Sequence, residues 1–170
     1  LTSTLAYDLQ SGTVSARLGG TADLNKTTAG TVTLSGANTY TGATNINAGT
    51  LALGAANRIV DMSAVTVASG ATFNLANFAE TVGSLAGTGN VTLGTATLTA
   101  GGNNTSTTFS GVASGTGGLT KAGTGALTLS GANTYTGTTT ISAGTLTAAG
   151  GSAIADTSQV TLANTAGATL

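Results

Sequence analysis

The chain has 170 residues and a formal net charge of −1, with charged side chains at only 5% of positions, against roughly 25% in an ordinary globular domain. It contains no Pro, Cys, His or Trp, which excludes a disulfide framework, thiolate or imidazole chemistry, haem ligation and zinc sites of the usual kind. Four Lys and Arg in all cannot form a basic patch, so neither nucleic acid nor an anionic membrane surface is expected as a partner.

Hydration of the surface falls to Thr, Ser and Asn, and the 27 Gly residues punctuate the chain. No run approaches the roughly 18 apolar residues of a bilayer span, so direct membrane insertion is not expected. The opening "LTSTLAYDLQ" lacks the basic start of a signal peptide. The expectation is a soluble segment with no address of its own.

In chain order, short runs rich in apolar and β-branched residues recur: "TVTL" from 31, "TNIN" from 44, "TLAL" from 50, "AVTVA" from 64 and "ATFNL" from 71. They continue with "TVGSL" from 81, "NVTL" from 90, "ATLTA" from 96 and "TTFSGV" from 107. Most alternate an apolar residue with Thr, Ser or Asn, the period of two of a strand with one buried face. Helical spacing is not evident. The separators, such as "SGAN", "NAGT" and "AGGNN", are rich in residues that accept positive φ or bond their own backbone.

A longer rhythm overlies these elements. The nonapeptide "LSGANTYTG" occupies residues 34–42 and again 129–137, an offset of 95. The same offset pairs Leu24 with Leu119, Lys26 with Lys121, Ile46 with Ile141, "AGTL" at 48–51 with 143–146, and Asp61 with Asp156. The chain therefore reads as one solenoid segment over 1–170, with a full unit at 24–118, the start of the next at 119–170 and the end of a preceding one at 1–23. Following one such buried face along the chain, Leu51, Phe73, Val91, Phe109 and Leu127 recur at intervals near twenty.

Such a period favours a solenoid over a meander of hairpins. The fold expected is all-β, a right-handed parallel β-helix of about nine coils, each of roughly 19 residues with three strands and three turns. About five coils fill each unit. At about 4.8 Å per coil the rod would be roughly 40 Å long. Neither end reads as a cap, and "LANTAGATL" stops in mid-repeat, which suggests a fragment of a longer rod or ends that pair with other copies.

The flanked nonapeptides, "LNKTTAGTVTLSGANTYTGATNINAGTLALG" at 24–54 and "LTKAGTGALTLSGANTYTGTTTISAGTLTAA" at 119–149, resemble the passenger-associated strand repeat of bacterial autotransporters. These two stretches are what the resemblance covers directly. It implies a right-handed β-helix exported by a Gram-negative bacterium through type V secretion, to the cell surface or beyond. It also implies the stalk of an adhesin, another surface protein or a long fibre, and it transfers no catalytic residue.

The acidic residues are Asp8, Asp23, Asp61, Glu80 and Asp156. Glycosidases need two carboxylates roughly 5 to 9.5 Å apart, whereas Asp61 and Asp156 would lie five coils, or roughly 24 Å, apart. Both are expected to bond turn backbones, while Asp23 and Glu80 are expected to be solvated turn charges. Lys26 and Lys121 could mark one sugar or anion site per repeat, but an exposed charge blunting a sheet edge is the plainer expectation.

Tyr40 and Tyr135 could be sugar-stacking platforms, or could pack across a turn. "GTGG" at 115–118 lacks the context of a phosphate loop, and no calcium-binding glycine-aspartate nonapeptide is present. The Asn-x-Thr sequons at Asn25, Asn90 and Asn103 read as ordinary turn and strand polarity. Thr-rich alternation can build a flat water-ordering array, but linear spacing does not hold Thr on one face at a constant coil interval.

In the nonapeptide, Leu34 and Leu129 are expected to enter the core. Gly36 with Asn38, and Gly131 with Asn133, should shape a corner that Tyr40 and Tyr135 close. The function expected is a non-enzymatic extracellular stalk or fibre segment without catalytic residues, cofactor or metal, able to extend by stacking and to join head to tail through terminal coils. A glycan-binding or host-surface adhesin module is the alternative, and a carbohydrate-active enzyme a third.

Overall fold

The computed structural model describes residues 1–163 and 167–170; Asn164, Thr165 and Ala166, inside the closing "LANTAGATL", lie outside them. Among the described residues there is no helix, and every strand pair is parallel. The chain winds as a three-sided β-solenoid.

Face one is an eight-stranded sheet: Tyr7–Leu9, Leu24–Lys26, Thr44–Ile46, Ala64–Val67, Ser84–Gly87, Thr107–Phe109, Ala126–Leu129 and Thr145–Ala148. Face two has six strands: Gly12–Val14, Thr31–Leu34, Thr50–Leu53, Thr72–Asn74, Asn90–Gly94 and Val112–Gly115. Face three comes in two pieces. Gly19–Gly20 pairs with Thr39–Tyr40, and a separate five-stranded sheet holds Glu80–Val82, Leu98–Ala100, Leu119–Lys121, Thr139–Ile141 and Val160–Leu162. Between them, the coil that carries Arg58 and Ile59 has no strand on this face.

The described residues make about eight coils rather than nine, because most coils are longer than the period read from the sequence. Steps between rungs of face one are also unequal: Tyr7 pairs with Leu24 over a short step and Gly87 with Phe109 over a longer one. Turns take up the difference at the surface, where added residues do not disturb the stacked strands.

The apolar column read from spacing is right at Leu51, Phe73 and Val91, which stand in register on face two. It then parts from the structure. Val91 pairs with Ala113, whereas Phe109 and Leu127 lie on face one, where Phe109 meets Leu129. The stretch from Val91 across to Phe109 on the next face is nearly as long as a coil, so a period near twenty cannot separate the two.

Inward side chains fill a narrow interior. Val32, Leu51, Phe73 and Val91 stack on face two, and Leu24, Leu34, Ile46, Leu98, Phe109 and Ile141 are fully buried. Each such side chain contributes roughly 1.5–3 kcal/mol of burial. Outward positions carry the polar ladders. Thr81, Thr99, Thr120, Thr140 and Thr161 stand in register up face three. Threonines are therefore stacked on one face after all. Their linear intervals are unequal, Thr81 to Thr99 being a shorter step than Thr99 to Thr120, and this hides the ladder in the sequence.

The two repeat copies do not sit on the same faces. Leu24 climbs face one through Thr44, Val65 and Leu85 to the Thr107–Phe109 strand, four coils on. The chain then crosses face two and reaches Leu119 on face three. The 95-residue offset is thus four coils and two faces of a fifth, and a coil averages about 20 residues. Consequently Leu24–Lys26 lies on face one and its copy Leu119–Lys121 on face three, while Thr31–Leu34 lies on face two and Ala126–Leu129 on face one.

Candidate functional site

The residues that sequence singled out as candidates for surface chemistry are drawn into the interior. In "LNK" and "LTK" the alternation that buries Leu24 and Leu119 also turns Lys26 and Lys121 inward, and the two lysines are 0% and 1% exposed. The expectation of an exposed, edge-blunting charge is therefore overturned.

Lys26 Nζ donates to the carbonyls of Thr28 and, at 3.2 Å, Ala48. Lys121 Nζ donates to Ala122 at 2.5 Å, Gly123 at 2.8 Å and Ala143 at 3.2 Å. Each ammonium thus clamps its own turn to the equivalent turn of the next coil. Burial pushes both lysines below their usual pKa, with the Asp8 charge opposing the shift at Lys26.

Asn38 and Asn133 perform a second splice. Asn38 Oδ1 accepts from Leu18 N at 2.9 Å, and its Nδ2 donates to Arg58 O at 2.8 Å. Asn133 does the same between Ala113 N (2.7 Å) and Ala153 O (2.6 Å). One side chain therefore joins three successive coils at a corner. Gly36 and Gly131 precede it, and the expected corner role holds for a steric reason: a Cβ would come within 2.2 Å of Ala16 O at Gly36 and 1.8 Å of Gly111 O at Gly131.

Tyr40 and Tyr135 are both 0% exposed, so neither is a platform for a sugar ring. They pack across the turn, as the plainer expectation had it. The Tyr40 hydroxyl lies 2.7 Å from Thr44 Oγ1, which lies 3.0 Å from Ser63 Oγ, and that hydroxyl donates to Gly42 O at 2.9 Å. Tyr135, Thr139 and Ser158 repeat the chain at 2.6 and 3.1 Å, ending on Gly137 O at 2.6 Å. Burial raises the pKa of both phenols. Leu34 and Leu129 enter the core as expected.

The acids divide differently from the expectation. Glu80, expected in solvent, is 1% exposed and accepts from Arg58 N at 2.8 Å and Ile59 N at 3.4 Å. Burial is the main cause that pushes its carboxyl up to about 7; these backbone donors oppose the shift and the charge of Asp61 adds to it. Asp23 bonds a turn backbone, accepting from Ala43 N at 2.7 Å. Asp61 and Asp156, expected to do so, are exposed and make no side-chain hydrogen bond among the described residues. They stand at equivalent turns on an offset of four and two-thirds coils.

Of the sequon residues, Asn25 is half-buried and accepts from Asn45 at 2.9 Å, and Asn103 donates to Ser84 at 3.1 Å, while Asn90 is exposed. The signal that sequence reading passes over at Lys26, Lys121 and Glu80 is their i, i+2 relation to Leu24, Leu119 and Val82.

The lysine, asparagine and tyrosine splices fall inside one repeated stretch, and a family model describes that stretch: the passenger-associated-transport-repeat matches residues 24–53 and 119–148. The chain carries two passenger-associated-transport-repeats. It is also 40% identical over 141 residues, 79% of its length, to the adhesin BmaC autotransporter of Brucella suis biovar 1 (strain 1330). The chain spans about 4% of the length of that relative. No solved structure matches. Passenger repeats of this kind place the segment in the exported part of an autotransporter, at the bacterial surface or outside the cell.

Proposed function

We propose that this segment is a non-enzymatic stalk: a length of passenger rod that holds other parts of an adhesin-type surface protein away from the cell. The observation that carries this reading is the orientation of the repeated polar residues. Lys26, Asn38, Tyr40 and their copies spend their hydrogen bonds inside the rod, mostly joining coil to coil. What the repeat preserves between its two copies is a means of stacking. The relative's description as an adhesin fits a stalk as well as a binding tip.

Extension follows from the same pairing. A parallel rung can be continued by the next coil of one chain or by a second copy, since backbone groups at the open edge are alike in both cases. Sedimentation over a wide concentration range separates these routes. Concentration-dependent growth supports joining of copies, and a constant size supports extension within one chain only.

The stalk reading is tested by displaying the passenger on cells with one 95-residue unit removed or added. The expected result is a reach that changes by roughly 22 Å per unit, four and two-thirds coils at the strand spacing, with adhesion per molecule retained. Saturable glycan binding by the 170-residue segment itself would overturn it in favour of a binding module.

A further inference from the structure

Among the described residues, face three is continuous except at the coil carrying Arg58 and Ile59, and side chains bridge the gap. Below it, Asn38 Nδ2 reaches Arg58 O. Above it, the main chain makes a long contact, Asn57 N to Ala79 O at 3.4 Å, with Asn57 in the left-handed region at φ 55°. The amides of Arg58 and Ile59, which a strand would give to backbone carbonyls, go to the two oxygens of Glu80.

The second copy has Ala153 where this one has Arg58, and there Asn133 reaches Ala153 O in the same way. We infer that Glu80 is a carboxyl splice for the missing rung, and that the proton on its carboxyl governs local opening of the solenoid at residues 54–63.

Burial sets the direction at Glu80, the backbone donors of Arg58, Ile59 and Thr81 oppose it, and the charge of Asp61 adds to it. From the face that Glu80 shares, Leu98 stands in register and is apolar. From the coil below comes Asp61, whose negative charge disfavours a second, and Tyr40 is near enough for its phenol to feel the Glu80 charge. Arg58 offers its backbone, and its Nε has no hydrogen-bond partner among the described residues.

The splice therefore sits in a site that favours the neutral acid. The sign follows by linkage: an acid whose folded pKa is raised holds its proton in the folded state over a range where the unfolded chain has lost it. Closure is then strongest below the ordinary carboxylate pKa of about 4.5 and weakens as pH rises through about 7.

The test is amide hydrogen exchange on the 170-residue chain, with protection expressed relative to intrinsic rates. Protection at Arg58 and Ile59 is expected to fall about a hundredfold between pH 5 and pH 8, at tenfold per unit of pKa difference. Thr120 and Thr140, on the continuous part of the same face, should not follow. Glu80→Gln should flatten the pH dependence. The same pH dependence in Glu80→Gln, or an equal loss of protection on every rung, would overturn the inference. Where Glu80→Gln fails to fold, Asp61→Asn decides: this exposed change should move the midpoint to lower pH, and an unmoved midpoint overturns the inference.

Discussion

The stretches 24–53 and 119–148 have nearly the same sequence and lie on different faces, yet they build the same interior. The tyrosine hydroxyl is 2.7 Å from its threonine in the first and 2.6 Å in the second, and the lysine reaches the carbonyl of the next coil at 3.2 Å in both. The lesson is that the repeat does not encode a position around the rod. It encodes its relation to the coil before and the coil after, so it can be laid down at any point of the winding. This is the nearest-neighbour logic of solenoids, in which stability sums over a unit and its two interfaces.

That equivalence can be broken most forcibly at the tyrosines. Tyr40→Ala and Tyr135→Ala each remove a fully buried ring and take one hydrogen-bond partner from a threonine hydroxyl. Each should destabilise its own coil by roughly 3–5 kcal/mol, read by exchange protection of neighbouring strands. If the repeat is self-contained, the two losses agree within about 1 kcal/mol. A markedly larger loss at Tyr40 would show that Glu80 makes the first copy's surroundings matter.

The lysine clamps come next. Lys26→Met and Lys121→Met keep the stem's volume and remove the ammonium, stranding the carbonyls of Ala48 and Ala143. A loss of roughly 1–3 kcal/mol is expected for each, from unsatisfied acceptors offset by relief of a buried charge. Chemical denaturation midpoints of the two single variants and the double variant test whether the sites add, as separate coils should.

Below these stand the asparagine splices. Asn38→Ala and Asn133→Ala should each lose about 2 kcal/mol, because an amide and a carbonyl on different coils lose their partner together. Asn38 sits against the gap at Arg58, so its loss should spread to residues 54–63. Asn133 sits against the equivalent strandless stretch at Ala153, so its loss should spread in the same way to residues 149–158.

Much of this is open to sequence reading, and the rest is hidden for definite reasons. Alternation gives strands, and the recurrence of Leu51, Phe73 and Val91 gives a coil, because residues in register must share chemistry. Assigning Phe109 to a face fails because the distance between neighbouring faces of successive coils is close to a full coil. About five coils per repeat unit is close to the four and two-thirds found, the difference coming from coils of about 20 residues rather than 19. Reading Lys26 and Glu80 as solvent-facing weighs charge above alternation: at Lys26 the neighbours Leu24 and Ile46 already mark the position as inward. The gap at Arg58 has no local sequence mark, and the equivalent stretch of the second copy around Ala153 also lacks a strand although its residues differ.

The smallest effect is expected where identity between copies is most misleading. Asp61 and Asp156 recur at the repeat offset, which favours a turn-bonding role, but both are exposed and neither makes a side-chain hydrogen bond among the described residues. An exposed side chain without a partner contributes little to a folded state, so Asp156→Ala should change stability by no more than about 0.5 kcal/mol. The thermal midpoint of the variant against the parent chain measures this directly. Asp23→Ala is the matched control: its carboxylate accepts from Ala43 N, and about 1 kcal/mol should be lost there. A loss at Asp156 as large as at Asp23 would mean that identity between copies reports bonding at this turn; the expected difference means that Asp156 serves solubility in a rod with few charges.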